Sequence, residues 1–154
     1  EVGERGSEFV AVPLHNANLA AGMGAGNEQE TTVARLAFRR DWLTGLGVAP
    51  SAARLARVLG DSMLPTLQPD DMVLIDTNRH HPPAKPRRPN DGRPSPIFAL
   101  RHDDGAVVKR LERISDDSLM LLSDNPAYPP QMRTISELTK IIGKVVWWGH
   151  TVRD

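Results

Sequence analysis

The sequence predicts a mostly β domain: a small, folded-over barrel of short antiparallel strands with one short helix. Apolar runs have strand length, turn signals recur between them, and a single stretch carries the cap-and-stop pattern of a helix. The 154 residues suffice for one core without cross-links, and there is no cysteine to make any.

Residues 1–30 are rich in Gly, Ala and Asn and read as a hinge or linker, with residues 31–154 as the folded domain. Within the linker, Phe9-Val10-Ala11-Val12-Pro13-Leu14 is apolar enough for a short strand. The stretch Leu19-Ala20-Ala21-Gly22-Met23-Gly24-Ala25-Gly26 is too small-residued for a core and too glycine-rich for a stable helix. Residues 33–38 alternate as a strand does. Asp41 reads as the N-cap of a helix over residues 42–46, ended by Gly47. Residues 53–59 and 72–76 have strand length.

Residues 77–96 hold Pro82, Pro83, Pro86, Pro89, Pro94 and Pro96 beside His80 and His81. Such a stretch cannot pair inside a sheet, so an exposed, mobile loop is expected. Strands then follow at residues 97–101, 106–114, 118–123 and 141–148. Asp103-Asp104-Gly105 and Ser115-Asp116-Asp117 are turn signals between them.

Composition excludes several functions. Lys plus Arg and Asp plus Glu balance at 19 each, whereas a module that grips DNA by itself shows a basic face. The one basic cluster, Lys85, Arg87, Arg88 and Arg93, is set among prolines, so DNA contacts would come from another part. No apolar run approaches the roughly 20 residues that cross a bilayer; residues 141–148 are interrupted by Gly143 and Lys144. The polar start Glu1-Val2-Gly3-Glu4-Arg5-Gly6 is not a secretory signal, and its lack of Met suggests a piece of a longer protein. The absence of cysteine suits a reducing cytoplasm, the expected location.

The segment Gly60-Asp61-Ser62-Met63-Leu64-Pro65-Thr66-Leu67 has the form of a serine nucleophile on a tight turn. A serine hydroxyl needs a base to take its proton. His15 lies in the linker, His80 and His81 in the proline loop, His102 at a turn and His150 near the end, so each reads as a solvated surface residue. The adjacent histidines lack the cysteine or carboxylate pair that a metal site would add, and no metal is expected. Lys109 is a better base. In Val107-Val108-Lys109-Arg110-Leu111, alternation puts Val107, Lys109 and Leu111 on one apolar face. Burial there disfavours the ammonium and lowers its pKa from about 10.4, which would leave an amine able to take the proton of Ser62. A lysine that snorkels from a strand edge to water is the blander reading. Main-chain N–H groups at Ser62 and Met63 are candidates for an oxyanion hole. Gly60 would let the backbone bend, Asp61 would brace the turn by accepting main-chain N–H bonds, Pro65 fixes φ and the Met63 side chain would pack.

The Ser62-Met63-Leu64-Pro65-Thr66 string, followed by Asp70-Asp71-Met72-Val73-Leu74-Ile75-Asp76, resembles the LexA-like (S24) peptidase family of self-cleaving repressors. Phe38-Arg39-Arg40-Asp41-Trp42-Leu43, Val108-Lys109-Arg110-Leu111, Ser123-Asp124-Asn125-Pro126-Ala127-Tyr128 and Gly143-Lys144-Val145-Val146-Trp147 are similar to its phage-type members. The resemblance implies a Ser62/Lys109 dyad, no cofactor, and a substrate within the same chain: the Ala21–Gly22 bond, with Ala25–Gly26 as a second candidate. It further implies a homodimer, a RecA filament on single-stranded DNA as co-protease in the DNA-damage (SOS) response, operator DNA held by an N-terminal domain ahead of residue 1, and no membrane. Residues 141–148, with Trp147 and Trp148, are a candidate dimer surface or plain core. Asp71 matches an aspartate that the family carries after glycine, and Asp70 stands in place of that glycine. Asn125-Pro126 is read as a turn without a catalytic role, and residues 77–96 have no counterpart. Two other readings remain: a signal peptidase, which shares the Ser/Lys pattern, and a non-cleaving dimerisation and sensing module.

Overall fold

A computed structural model describes residues 8–15, 32–102, 105–137 and 140–153. The proposed hinge cut sites, Ala21–Gly22 and Ala25–Gly26, lie outside the described residues. Strand β1, Phe9–His15, pairs antiparallel with β2, Thr32–Arg39. The chain runs from β2 directly into helix α1, Arg40–Gly45. A single 3-10 turn, Pro50–Ala52, leads to β3, Ala53–Arg57. Then come β4, Met72–Asp76; β5, Ile97–His102; β6, Gly105–Arg113; β7, Ser118–Leu122; β8, Gln131–Thr134; and β9, Ile141–Gly149.

The mostly β expectation with one short helix holds. The described strands form one nine-stranded sheet in the order β2-β1-β3-β4-β9-β5-β6-β7-β8, mixed because β1 and β3 run parallel, and not closed into a cylinder. Two core clusters cover its first and middle parts: Val12, Leu14, Leu43 and Leu55 in one, and Val73, Ile75, Ala99 and Val108 in the other. A third, built on Phe98, Leu100, Leu111, Leu119 and Leu121, lies under β5 to β7. Fully burying a Val, Leu, Ile or Phe side chain in such a cluster contributes about 1.5–3 kcal/mol.

Several details differ from the sequence reading. Asp41 is not the N-cap: that position is Arg39, in extended conformation and without a side-chain cap bond. The helix starts earlier because β2 feeds straight into it, and Asp41 in its first turn accepts from Arg39 Nε at 3.0 Å. A carboxylate there still complements the helix dipole. His15 is not a solvated linker residue but is 1% exposed, because β1 extends through it to pair with Thr32 past a bulge. Strand β8 was not anticipated. Residues 77–96 are largely exposed, yet Pro86 bridges to Arg113, and Arg87 donates to Ser95 Oγ at 2.6 Å. Gly143 sits where β9 crosses β4 so closely that a Cβ would lie 2.3 Å from the Asp76 carbonyl oxygen.

Candidate active site

Ser62 lies in the connection between β3 and β4, which is closed at its base like a loop in a clasp. Val58 N–H donates to the Asp71 carbonyl at 2.8 Å, and Asp70 N–H donates back to Val58 at 3.0 Å. Buried Asp71 braces the same point from inside: one carboxylate oxygen accepts from Gln68 N–H at 2.9 Å, and the other meets His150 Nδ1 at 2.5 Å. His150 is thus tied to the base of the serine loop rather than merely solvated. Higher up, Met63 and Leu67 are 1% and 0% exposed and pin the turn into the core. Gly60 supplies the bend with φ of 72°. Ser62, between these anchors, stays half-buried at the surface. Its own N–H and that of Met63 donate no hydrogen bond among the described residues.

Asp61 braces the turn in another way than expected. Its carboxylate accepts from the Tyr128 hydroxyl, and its main-chain carbonyl accepts from Leu64 N–H at 3.2 Å and from Asn125 Nδ2 at 3.0 Å. The hydrogen bond to the Asp61 carboxylate raises the Tyr128 phenol above its ordinary pKa.

Lys109 comes from the middle of β6, with Val107 and Leu111 on the side of the third core cluster, as alternation predicts. Burial pushes its ammonium pKa below the ordinary lysine value. Its Nζ donates to Ser123 Oγ at 2.7 Å and lies 5.4 Å from the centre of the Tyr128 ring. The sheet register explains the first contact. Arg110 pairs with Leu122, so the next pair along would be Lys109 with Ser123. Ser62 Oγ and Lys109 Nζ are not hydrogen-bonded to one another among the described residues.

Both residues are bonded to the segment 123–128, to which the sequence reading gave no catalytic part. Ser123 takes the Lys109 ammonium; Asn125 N–H donates to the Ser62 carbonyl at 3.0 Å; and Tyr128 spans Lys109 and Asp61. Asp124 joins the serine turn to β6, accepting from Thr66 Oγ1 at 2.5 Å and from Arg110 Nε and Nη2 at 2.7 and 3.0 Å. Burial alone would raise the Asp124 carboxyl; the Arg110 and Thr66 hydrogen bonds and the arginine charge outweigh it and hold the pKa below the usual range. Arg110 also donates to the Ser95 carbonyl at 2.5 Å, so the proline-rich loop is anchored at this point too. Strands β4 and β6 are separated by β9 and β5, so these bonds exist only because the sheet curls. Beside Lys109 opens a cleft of about 470 Å³, with Leu100, Val107 and Leu121 among its apolar walls and Arg101, Arg133 and Lys140 on its cationic side.

The candidate dimer strand β9 lies between β4 and β5, so both of its edges are paired. Trp147 stands edge-on to Phe38 and Trp42 at 6.1 and 5.5 Å, which is core packing, while Trp148 is 39% exposed.

A mostly β domain with a pinned serine turn and a partly buried lysine, each bonded to the segment 123–128, has the architecture of a peptidase-like domain. The chain belongs to the Peptidase S24-like family, whose model matches residues 13–146. It is 32% identical to the HTH-type transcriptional regulator PrtR of Pseudomonas aeruginosa over 94% of this chain and 54% of that protein. An uncharacterized HTH-type transcriptional regulator of Haemophilus influenzae is 30% identical over 88% of this chain and 54% of its own length. The prophage repressor CohE of Escherichia coli is 31% identical over 64% of this chain and 40% of its own length. The chain thus spans about half the length of the first two. Among the described residues, no helix is long and apolar enough to cross a membrane.

Proposed function

We propose that this chain is the self-cleaving and dimerising part of a transcriptional repressor, with Ser62 as nucleophile and Lys109 as base. The observation that carries this reading is a lysine partly buried among apolar neighbours, with its pKa lowered, bound to a neutral hydroxyl and tied through residues 123–128 to the serine turn. An amine of this kind serves structure poorly and proton transfer well. In the reaction, Lys109 Nζ leaves Ser123 and takes the proton of Ser62 Oγ, which attacks the carbonyl carbon of Ala21. The oxyanion is met by the N–H groups of Ser62 and Met63, which no other acceptor occupies among the described residues. Lys109 then gives its proton to the departing amide nitrogen of Gly22, and water, deprotonated by the same amine, hydrolyses the ester. Leu19 and Ala20 supply small apolar residues just ahead of this bond, and Ala25–Gly26 is the alternative bond.

In the whole protein, a helix-turn-helix domain ahead of this chain would hold operator DNA and a homodimer would supply avidity, with the Trp148 side of β9 as contact face. A RecA filament on single-stranded DNA would promote cleavage in a cytoplasmic SOS response, as the family resemblance implies. A second reading, a non-cleaving dimerisation and sensing module, is favoured by one observation: Lys109 is bonded to Ser123 and not to Ser62.

Intact-mass analysis under denaturing conditions separates the two. Self-cleavage gives fragments 1–21 and 22–154 from the native chain and none from Ser62→Ala. An intact native chain at every pH and incubation time would support the sensing module.

A further inference from the structure

Strand β1 is not at an end of the sheet. It lies between β2 and β3, paired with β2 from Phe9↔Arg39 to His15↔Thr32 and with β3 through Leu14↔Leu55. Val12, Leu14 and His15 are 0%, 2% and 1% exposed, and the first two belong to the same core cluster as Leu43, Leu55 and Leu74. Yet the chain joins β1 to the rest of the domain only through residues 16–31, which hold both Ala21–Gly22 and Ala25–Gly26. A cut at either bond turns β1 into part of a separate chain while leaving every one of these strand contacts in place.

We infer that the slot between β2 and β3 is a strand-binding site whose occupant after cleavage is the chain's own N-terminal product, residues 1–21. Main-chain pairing on both sides and the buried Val12 and Leu14 hold that product as a donated strand is held. A cut within residues 16–31 therefore does not part the two products. Whatever the chain carries ahead of residue 9 stays on the domain until β1 is withdrawn. Withdrawal leaves β2 without the partner that joins it to the sheet, and it opens the core cluster. Release is thus a second step, separate from peptide-bond cleavage. The place of this step in function rests on the proposed cut in residues 16–31; the hold on β1 does not depend on which enzyme makes the cut.

The test uses the full chain carrying Ser62→Ala, with residues 18–26 replaced by the recognition sequence of a site-specific protease. Digestion is followed on a denaturing gel, and the digested protein is then examined by native mass spectrometry and gel filtration. The expected result is one folded species holding both fragments, which separate only in denaturant. A free N-terminal fragment under native conditions would overturn the inference, as would collapse of the domain on cutting. Because an added protease makes the cut, failure of Ser62/Lys109 self-cleavage would show in the native chain alone and leave this result readable.

Discussion

Lys109 and Ser123 face one another across β6 and the end of β7, and the ammonium of the first donates to the hydroxyl of the second at 2.7 Å. A neutral acceptor holds the amine in place without adding the counter-charge that would lock its proton on. Ser123 is therefore a positioning residue for the proposed base. In Ser123→Ala, the maximal self-cleavage rate falls about tenfold because Nζ is less well placed. The alkaline rise moves to lower pH because the ammonium has lost its acceptor. Ser123→Thr restores both. A pH–rate profile of the three proteins checks this.

Lys109 is held against its own charge, so its removal should leave the fold intact. Lys109→Met abolishes cleavage and raises the thermal midpoint. The folded-state pKa lies below the unfolded one, so the native chain gains stability as pH climbs from the folded value to the unfolded value near 10.4. The Met variant lacks that gain, and paired thermal melts between neutral and alkaline pH measure it.

Arg110 and Asp124 are each 17% exposed, and removing one leaves the other partly buried without its partner. Arg110→Ala should cost about 3 kcal/mol by urea unfolding. Asp124 also contributes an acid limb. Its folded pKa is lowered, so its stabilisation is complete above the unfolded value of about 3.9 and fades as pH falls through the folded value. Asp124→Asn flattens that limb.

Two neighbouring backbone positions make opposite predictions. Gly60 has φ of 72°, so Gly60→Ala should cost about 1 kcal/mol. Asp70 has φ of 70° where the resembling family carries glycine. Asp70→Gly relieves that conformation and should gain about 0.5 kcal/mol, aspartate being among the residues that tolerate it best. Chemical denaturation of both variants gives the two signs.

Much of the fold was legible because the buried strands announce themselves. Val73, Leu74 and Ile75 form a continuous apolar run in a central strand, and Val107, Lys109 and Leu111 alternate as the third cluster requires. Strand β8 was not legible, because an edge strand with Met132 59% exposed has no buried alternation to read. Asp41 misled because it satisfies the composition of a cap while β2 fixes where the helix begins. At the site, the Ser62 string and Lys109 could be picked out, but their connection could not. Asn125 meets residues 61 and 62 only after the sheet has curled, and a side chain bonding to a carbonyl 64 positions away leaves no local pattern.

The most direct measurement is the rate of self-cleavage of the native chain against pH, read as the appearance of fragment 22–154 by denaturing mass spectrometry. A neutral Lys109 as base predicts a rate that climbs with pH and levels off below the ordinary lysine pKa of about 10.4, with no product in Lys109→Met or Ser62→Ala. A rate independent of pH, or product formed by either variant, would contradict the Ser62/Lys109 account.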